Sequence, residues 1–191
     1  AASSDTLPVV PLDPVRVTVL RTPLALVQVP FAVTVETGTG SGAGLSLAEA
    51  IGLVPGVQVD ARYAFSEGDR ISIRGFGARA QFGVRGVKVL VDGIPATLPD
   101  GQSALSHVDP WRIHRAEVFR GPASALWGNA AGGVLQLETS PSRPGVRVAT
   151  LTGSHGLRRL AGDAGWVSGD RPGAFRLGLS TTLFSWDGHR E

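Results

Sequence analysis

The last third of the chain has the most regular alternation of apolar and polar positions. After Pro144 come three alternating runs, separated by turn residues at 154–156 and 169–173. Because a period of two places successive side chains on opposite faces, the pattern predicts three long antiparallel strands. The third run, Phe175 to Leu183, has the apolar-out, polar-in dyad and roughly 10-residue length of a transmembrane barrel strand. An amphipathic hairpin of a soluble sheet has the same pattern.

Residues 31–140 have shorter runs that end at Gly or Pro. Their pattern predicts strands at 31–35, 57–59, 71–74, 87–91, 116–119 and 134–139, a helix at 45–53, helical or 3₁₀ pieces at 103–113, and a helical turn at 122–127. The run 87–91 is almost continuously apolar, so we expect a central strand there. On the predicted helix, Leu47, Ala50, Ile51 and Val54 share one face. Short strands mixed with short helices indicate a compact α+β domain.

Residues 1–30 contain five prolines, at positions 8, 11, 14, 23 and 30. Proline breaks helices and cannot donate to a strand ladder, so this region is predicted to be an extended, poorly packed arm. Within it, Val15 to Leu20 is rich in β-branched residues. Two interpretations are open: an ordinary loop, or a strand that adds to the exposed sheet edge of a partner.

Composition narrows the classes of function. Hydrophobic residues make up 42% and charged residues 18% of the 191 positions, which is enough to bury a core. There is no Cys, which excludes disulfides and thiolate metal sites. The formal net charge is +2 and the basic residues are scattered, with Arg158-Arg159 the only adjacent pair, so we expect no nucleic-acid partner. No apolar run reaches the ~20 residues of a membrane-spanning helix.

Catalytic and metal-binding patterns are weak. The four histidines (107, 114, 155 and 189) are dispersed, and neither Gly-x-Ser-x-Gly nor His-Glu-x-x-His occurs. The glycine-rich run 38–44 lacks both the GxGxxG spacing and the Lys of a phosphate loop. We therefore expect no enzymatic activity, no metal site and no cofactor. No signal peptide is visible at the start, although small residues there fit a cleavage point.

Four blocks in the middle of the chain occur in a distinctive order. They read Ile-Arg-Gly-Phe-Gly from Ile73, Val-Leu-Val-Asp-Gly-Ile-Pro from Val89, Glu-Val-Phe-Arg-Gly-Pro from Glu117, and Leu-Trp-Gly-Asn-Ala-Ala-Gly-Gly-Val from Leu126. In this order and spacing the chain from about Asp13 to Thr139 resembles the plug domain of TonB-dependent outer-membrane receptors. The fold class that follows is an α+β plug, with a small mixed β-sheet and short helices, followed by the first antiparallel strands of an incomplete transmembrane β-barrel.

The resemblance implies two further sets of residues. One is similar to the TonB box of the family and consists of Asp13, Pro14, Val15, Arg16, Val17, Thr18 and Val19. There, Arg16 is less typical than an apolar residue, and residues 5–10 are a second candidate. The other set is Arg74 and Arg120, which match arginines that lock the plug to glutamates of the barrel wall. From the residues alone, both arginines also fit solvated strand ends.

In the family, three plug loops meet the substrate. By loop position they correspond to Arg62, Tyr63, Arg79, Gln81, Phe82, Pro99, Asp100 and Gln102. Arginine with aromatic neighbours suits an anionic, hydrogen-bonding metal chelate. A ferric siderophore is therefore the expected substrate, with copper, cobalamin and carbohydrate cargo as alternatives within the family.

The resemblance implies an arm at 1–30 with the TonB box near 13–20, a plug at 31–140, and about three barrel strands at 141–191. It further implies active transport across the outer membrane of a Gram-negative bacterium, with TonB and its inner-membrane energising complex, the substrate and outer-membrane lipid as partners. Three strands cannot close a barrel, so we expect the chain to be incomplete. The alternative is a truncated receptor that binds ligand as a soluble plug or has no transport activity.

Overall fold

The computed structural model describes residues 14–38, 42–61, 68–81, 83–139, 144–169 and 174–188. The strands are β1 (Arg16–Val17), β2 (Leu24–Ala25), β3 (Val33–Thr37), β4 (Val57–Asp60), β5 (Arg70–Ile73), β6 (Val84–Arg85), β7 (Val87–Val91), β8 (Ile94–Pro95), β9 (Gln102–Ser103), β10 (Arg115–Arg120), β11 (Gly133–Glu138), β12 (Gly145–Thr152), β13 (Arg158–Val167) and β14 (Arg176–Ser185). Two short helices, α1 (Ala48–Ile51) and α2 (Ser124–Trp127), and two 3₁₀ turns, Leu26–Gln28 and Pro110–Arg112, complete the secondary structure of the described residues.

A five-stranded sheet forms the centre of the first two thirds of the chain. Its order is β3-β10-β11-β7-β8, and only the β11–β7 pair is parallel, so the sheet is mixed as predicted. The register places Val118 opposite Leu135 on β10 and β11. Residues 87–91 form β7, which is paired on both sides by β11 and β8, as expected of a central strand; β11 is the middle strand of the five.

The two faces of this sheet bury different kinds of side chain. One face, here called the apolar face, carries Val87, Val89, Ala116, Val118, Leu135 and Leu137 and packs under α1, β4 and β5. The opposite face, here called the polar face, interleaves Leu90, Phe119 and Val134 with Lys88, Glu117 and Gln136. Because side chains alternate along a strand, each strand contributes to both faces in turn. Three smaller two-stranded sheets, β1-β2, β4-β5 and β6-β9, surround the centre.

The three long strands β12–β14 form a separate antiparallel sheet. One face is apolar and exposed, with Val146, Val148, Leu160, Trp166, Leu177, Leu179 and Leu183. The other face carries Arg147, Arg159, Ala161, Asp163 and Thr182. Side chains of this face contact Ala43, Asp109 and Trp111. This arrangement agrees with the alternation in the sequence and with strands that expose apolar side chains outward.

Several local predictions need correction. The helix predicted at 45–53 has only the four residues of α1, although Leu47, Ala50, Ile51 and Val54 are buried on one face as expected. The strand predicted at 71–74 ends at Ile73, because Arg74 has a left-handed backbone with φ of 51°. Within 103–113 the helical structure is limited to the 3₁₀ turn 110–112, and Ser103 is in β9.

Candidate functional site

Residues 15–20, here called the N-terminal segment, lie against the polar face of the five-stranded sheet. Val17 and Val19 are fully buried among Leu90, Phe119 and Val134. The prediction of a poorly packed arm is therefore wrong for this segment. Pro14 precedes the segment and Pro23 follows it, so neither proline interrupts the buried stretch.

The segment turns back sharply on itself. Arg16 and Val17 pair with Ala25 and Leu24, and the amide of Leu26 donates to the carbonyl of Val15 at 2.8 Å. Arg21, at the turn, has a left-handed φ of 68°. The ladder between the two strands covers only two residues each, so the segment relies on other contacts to stay on the sheet.

Glu117 supplies the main polar contact for the segment. Its side chain is fully buried, and Oε2 accepts the amides of Thr18 and Val19, each at 2.8 Å. Oε1 accepts the hydroxyl of Thr18 at 3.2 Å and a guanidinium N–H of Arg115 at 2.6 Å. A buried carboxylate is tolerated when charge-assisted hydrogen bonds replace its hydration. Glu117 thus binds the backbone of the segment by a side chain, with no strand ladder between them.

Three more side chains of the sheet region contact the same segment. The indole of Trp127 donates to the carbonyl of Val19 at 2.8 Å, and the amide of Gln136 donates to the hydroxyl of Thr18 at 2.9 Å. Arg115 donates to the carbonyl of Arg16, and Arg21 lies 4.4 Å above the ring of Trp127. Side chains therefore bind the amides of Thr18 and Val19 and the carbonyls of Arg16 and Val19, while Arg16 and Val17 also pair with β2.

Arg115 also lies at the end of the β10–β11 pair, next to His114 and Glu138. Its Nε lies 3.4 Å from a carboxylate oxygen of Glu138. Burial lowers the pKa of His114 and raises the pKa of Glu138 relative to their ordinary values. The lowered pKa of His114 favours its neutral form, which weakens any ion pair across the 3.9 Å between His114 and Glu138. Arg115 is the charged group that links Glu117 and Glu138.

Of the residues predicted for the TonB box, Pro14, Val15 and Arg16 are exposed, Val17 and Val19 are buried, and Thr18 lies between these two. Asp13 lies outside the described residues. Sequence reasoning assigned no role to Glu117. Its signal was a charged residue between two apolar neighbours, Ala116 and Val118, in a predicted strand.

The predicted substrate-loop residues are placed in part. Arg62, Tyr63 and Phe82 lie outside the described residues. Arg79, Gln81, Pro99 and Asp100 are exposed, and Gln102 is half-buried. Pairing of Val84 with Ser103 joins β6 to β9 and thereby brings the second and third loops together.

Arg85, which the sequence did not single out, connects these two loops. Its guanidinium lies 3.2 Å from the side-chain oxygen of Gln102 and 3.7 Å from the carboxylate of Asp100. Asp100 in turn accepts the amide of Gln102 at 3.0 Å. An exposed cluster of guanidinium, carboxylate and amide groups therefore lies where the two loops meet.

Arg74 and Arg120, the predicted lock, meet at one turn. The amide of Arg74 donates to the carbonyl of Gly56 at 2.8 Å, and its side chain is exposed. Arg120 donates to the carbonyl of Pro55 at 2.9 Å and to the hydroxyl of Thr34 at 3.0 Å. Its buried Nε has no hydrogen-bond partner among the described residues. The sequence did not indicate that Pro55 and Gly56 bring these arginines together.

The described residues contain neither a metal-binding cluster nor a membrane-spanning helix. No group of three or more His, Cys, Asp or Glu side chains there could hold a metal ion. No helix there has the length and hydropathy needed to cross a membrane.

Comparison with known proteins gives consistent results. Residues 25–134 match the family model described as TonB-dependent Receptor Plug Domain. The chain is 34% identical over 93 residues to the ferrichrome outer membrane transporter/phage receptor of Escherichia coli, which covers 48% of this chain and 12% of the relative. It is 30% identical over 158 residues to the vitamin B12 transporter BtuB of Photobacterium profundum, which covers 75% and 24% respectively.

Solved structures show the same fold. The siderophore receptor PiuA of Acinetobacter baumannii matches with a TM-score of 0.60 at 20% identity, over 90% of this chain and 23% of that one. BauA, the ferric preacinetobactin receptor of the same species, matches with a TM-score of 0.61 at 18% identity, over 87% and 25%. The chain thus spans about a quarter or less of the proteins that it matches.

Proposed function

The chain belongs to the TonB-dependent receptor plug domain family, and from this membership we propose that it is the gating portion of an outer-membrane active transporter for a metal chelate, specifically a ferric siderophore. The protein is an outer-membrane receptor component of a Gram-negative bacterium, as its relatives are. Energy for transport comes from TonB and its inner-membrane complex. The plug occupies the barrel, binds the chelate on one side and presents the N-terminal segment on the other.

The observation that carries this proposal is the way in which the N-terminal segment is attached. Side chains of Glu117 and Trp127 bind its backbone, Gln136 binds the hydroxyl of Thr18, and its own ladder is only two residues long. Its release therefore exposes backbone donors and acceptors without removing a strand from the five-stranded sheet. An extended segment of this kind suits addition to the sheet edge of a partner, which is the role proposed for TonB.

The substrate side of the proposal rests on the joined loops. Arg79, Gln81, Pro99, Asp100 and Gln102, with Arg62, Tyr63 and Phe82, supply the groups that contact the chelate. Arg85 belongs with them because it lies between Asp100 and Gln102. Guanidinium and amide groups recognise the anionic oxygens that surround ferric iron in siderophores. The ferrichrome transporter and the solved siderophore receptors support this substrate class, and a hemin receptor and BtuB among the relatives mark the alternatives.

The lock and the lipid contact complete the proposal. Arg74 and Arg120 stand next to one turn, where glutamates of the barrel wall would reach both guanidiniums. The exposed apolar face of β12–β14, which includes Val146 at 79% and Leu179 at 72% exposed, contacts the lipid of the outer membrane.

Deletion of residues 14–20 in the native protein tests the transport role. We expect uptake of radiolabelled iron, supplied as hydroxamate and catecholate siderophores, to be lost, while binding of the same chelates to the cells is retained. The reason is that TonB loses the strand that it pairs with, whereas the loops on the substrate side keep their support from the sheet.

The matched control is Val27→Ser, a change at a 93% exposed position of the same arm. It should leave both uptake and binding unchanged. Uptake that survives the deletion contradicts the proposed TonB box. Uptake of hemin or cobalamin without uptake of any siderophore keeps the transport role and replaces the proposed substrate.

A further inference from the structure

A short turn of the plug is hydrogen-bonded to β13 and β14, on the face of the three long strands that carries Arg147, Arg159 and Thr182. In the 3₁₀ turn 110–112, the preceding residue Asp109 caps the turn by accepting the amide of Trp111 at 3.0 Å. The same carboxylate oxygen accepts a guanidinium N–H of Arg159 on β13 at 3.1 Å. The other oxygen accepts the hydroxyl of Thr182 on β14. One carboxylate therefore ties the turn to two neighbouring strands.

Arg159 is an unusual residue for the strand on which it lies. Its side chain is only 4% exposed, while its neighbour Arg158 is exposed to solvent. Besides Asp109, it donates to the carbonyl of Ala43. Gly44, beside that carbonyl, has a left-handed φ of 66°, and a Cβ there would lie 2.2 Å from the guanidinium. The loop at 42–44 is thus closed tightly over Arg159.

Trp111 provides the second part of the contact. The residue is 3% exposed, and the guanidinium carbons of Arg147 and Arg159 lie 4.1 and 5.4 Å from its ring centre. Arg147 is also paired with Asp163 at 2.6 Å on the adjacent strand. Guanidiniums over an indole face are attracted by the ring, and more strongly where water is excluded.

Burial decides how much these contacts contribute. Exposed ion pairs contribute little, because solvent screens the charges and the long side chains lose entropy. Removal of one partner from a buried pair leaves an uncompensated charge and is strongly destabilising. Arg159 is of the second kind, with 4% of its side chain exposed, and its partner Asp109 is 22% exposed; the guanidinium of Arg120 is instead bonded to plug residues 34 and 55.

We propose that Asp109, Trp111 and Arg159 form the seat that fixes the plug on the first three strands, with Thr182 and Arg147 as its supports. This seat is separate from the Arg74–Arg120 lock and lies within the chain. Its role is positional and depends neither on the cargo nor on TonB, so it stands or falls independently of the transport proposal.

Hydrogen exchange of the native protein, read by mass spectrometry over residues 110–113, tests the seat. Arg159→Gln should raise the exchange rate of the amides of Arg112 and Ile113 by about tenfold or more, because Asp109 loses its guanidinium partner and no longer ties the turn to β13. Arg158→Gln, the matched control one residue away on the opposite face, should leave the rate unchanged. Equal rates in these two variants overturn the proposal.

A double-variant cycle separates a specific pair from general damage. Asp109→Asn combined with Arg159→Gln should raise the rate no more than the more damaging single variant, because the two changes remove one contact. If the increases in exchange rate of the two single variants multiply in the double variant, Asp109 and Arg159 do not share a contact and the proposal is contradicted. If Arg159→Gln unfolds the protein, Thr182→Val takes its place, with the exposed Thr181→Val as control. A rise at 110–113 in the first alone supports the seat, and no difference between the two overturns it.

Discussion

The two faces of the five-stranded sheet are built from the same strands but are covered in different ways. On the apolar face, Ala116, Val118, Leu135 and Leu137 form one hydrophobic cluster with residues of α1 and β5. On the polar face, Glu117 and Gln136 take the intervening positions; Glu117 binds two backbone amides of the N-terminal segment, and Gln136 binds the hydroxyl of Thr18. The same strands therefore contribute to a hydrophobic core on one face, and on the other face they bind a cover, the N-terminal segment, through hydrogen bonds.

The difference shows how a single sheet can support both stability and release. Exposing buried apolar side chains to water costs free energy in proportion to the apolar area exposed. The apolar face therefore resists opening. Hydrogen bonds exchange with water at a smaller net cost of about 0.5–1.5 kcal/mol each, or about 1.5–3 for those to charged groups. The cover on the polar face is thus the part that a pull on the N-terminus removes first. Val17 and Val19 add an apolar contribution that keeps it in place at rest.

The largest effect in this comparison is expected from the apolar face. Leu135→Ala removes a fully buried side chain at the centre of the sheet and should lower the free energy of unfolding of the whole plug by about 2–5 kcal/mol. Denaturant unfolding followed by tryptophan fluorescence measures it. A loss confined to residues 14–25, with the rest of the plug unaffected, would show that the apolar face is not the permanent core.

A smaller and more local effect is expected from the polar face. Glu117→Gln keeps the shape of the side chain but removes the charge that Thr18, Val19 and Arg115 share. The free energy of local opening of residues 14–25 should fall by about 1.5–3 kcal/mol, measured by hydrogen exchange, while the amides of β11 keep their protection.

The matched control for Glu117→Gln is Glu138→Gln. It also removes a carboxylate from Arg115, but within the part of the chain that the structure describes Glu138 makes no hydrogen bond or ion pair with the N-terminal segment. Residues 14–25 should remain protected in this variant. If both variants open the segment equally, Arg115 rather than Glu117 is the group that holds it.

Sequence pattern predicted those parts of the fold in which neighbours along the chain decide the outcome. The alternation after Pro144 correctly predicted β12–β14 and their two faces. The spacing of Leu47, Ala50, Ile51 and Val54 correctly predicted a buried helical face, although the helix itself is one turn long. The order of the glycine-punctuated blocks identified the family, which the family match at 25–134 confirms.

The contacts between distant segments could not be predicted in the same way. Thr18 and Glu117 are 99 positions apart, and no local periodicity links a backbone amide to a carboxylate at that separation. The five prolines of residues 1–30 suggested loose packing. Pro14 and Pro23 nevertheless flank the segment 15–20, in which Val17 and Val19 are buried. Arg159 was part of the only adjacent basic pair, but its burial depends on Asp109, Ala43 and Thr182 in other elements. The roles of the substrate-loop residues stay predictions.

We expect the N-terminal segment to open independently of the sheet that carries it. Native-state hydrogen exchange of the unmodified protein, measured at increasing but sub-denaturing urea, tests it most directly. The amides of Thr18 and Val19 should exchange through a local opening of low free energy that urea barely changes, while those of Val118 and Leu135 follow global unfolding. If all four amides share one opening free energy and one urea dependence, segment and sheet are a single cooperative unit and the expectation is wrong.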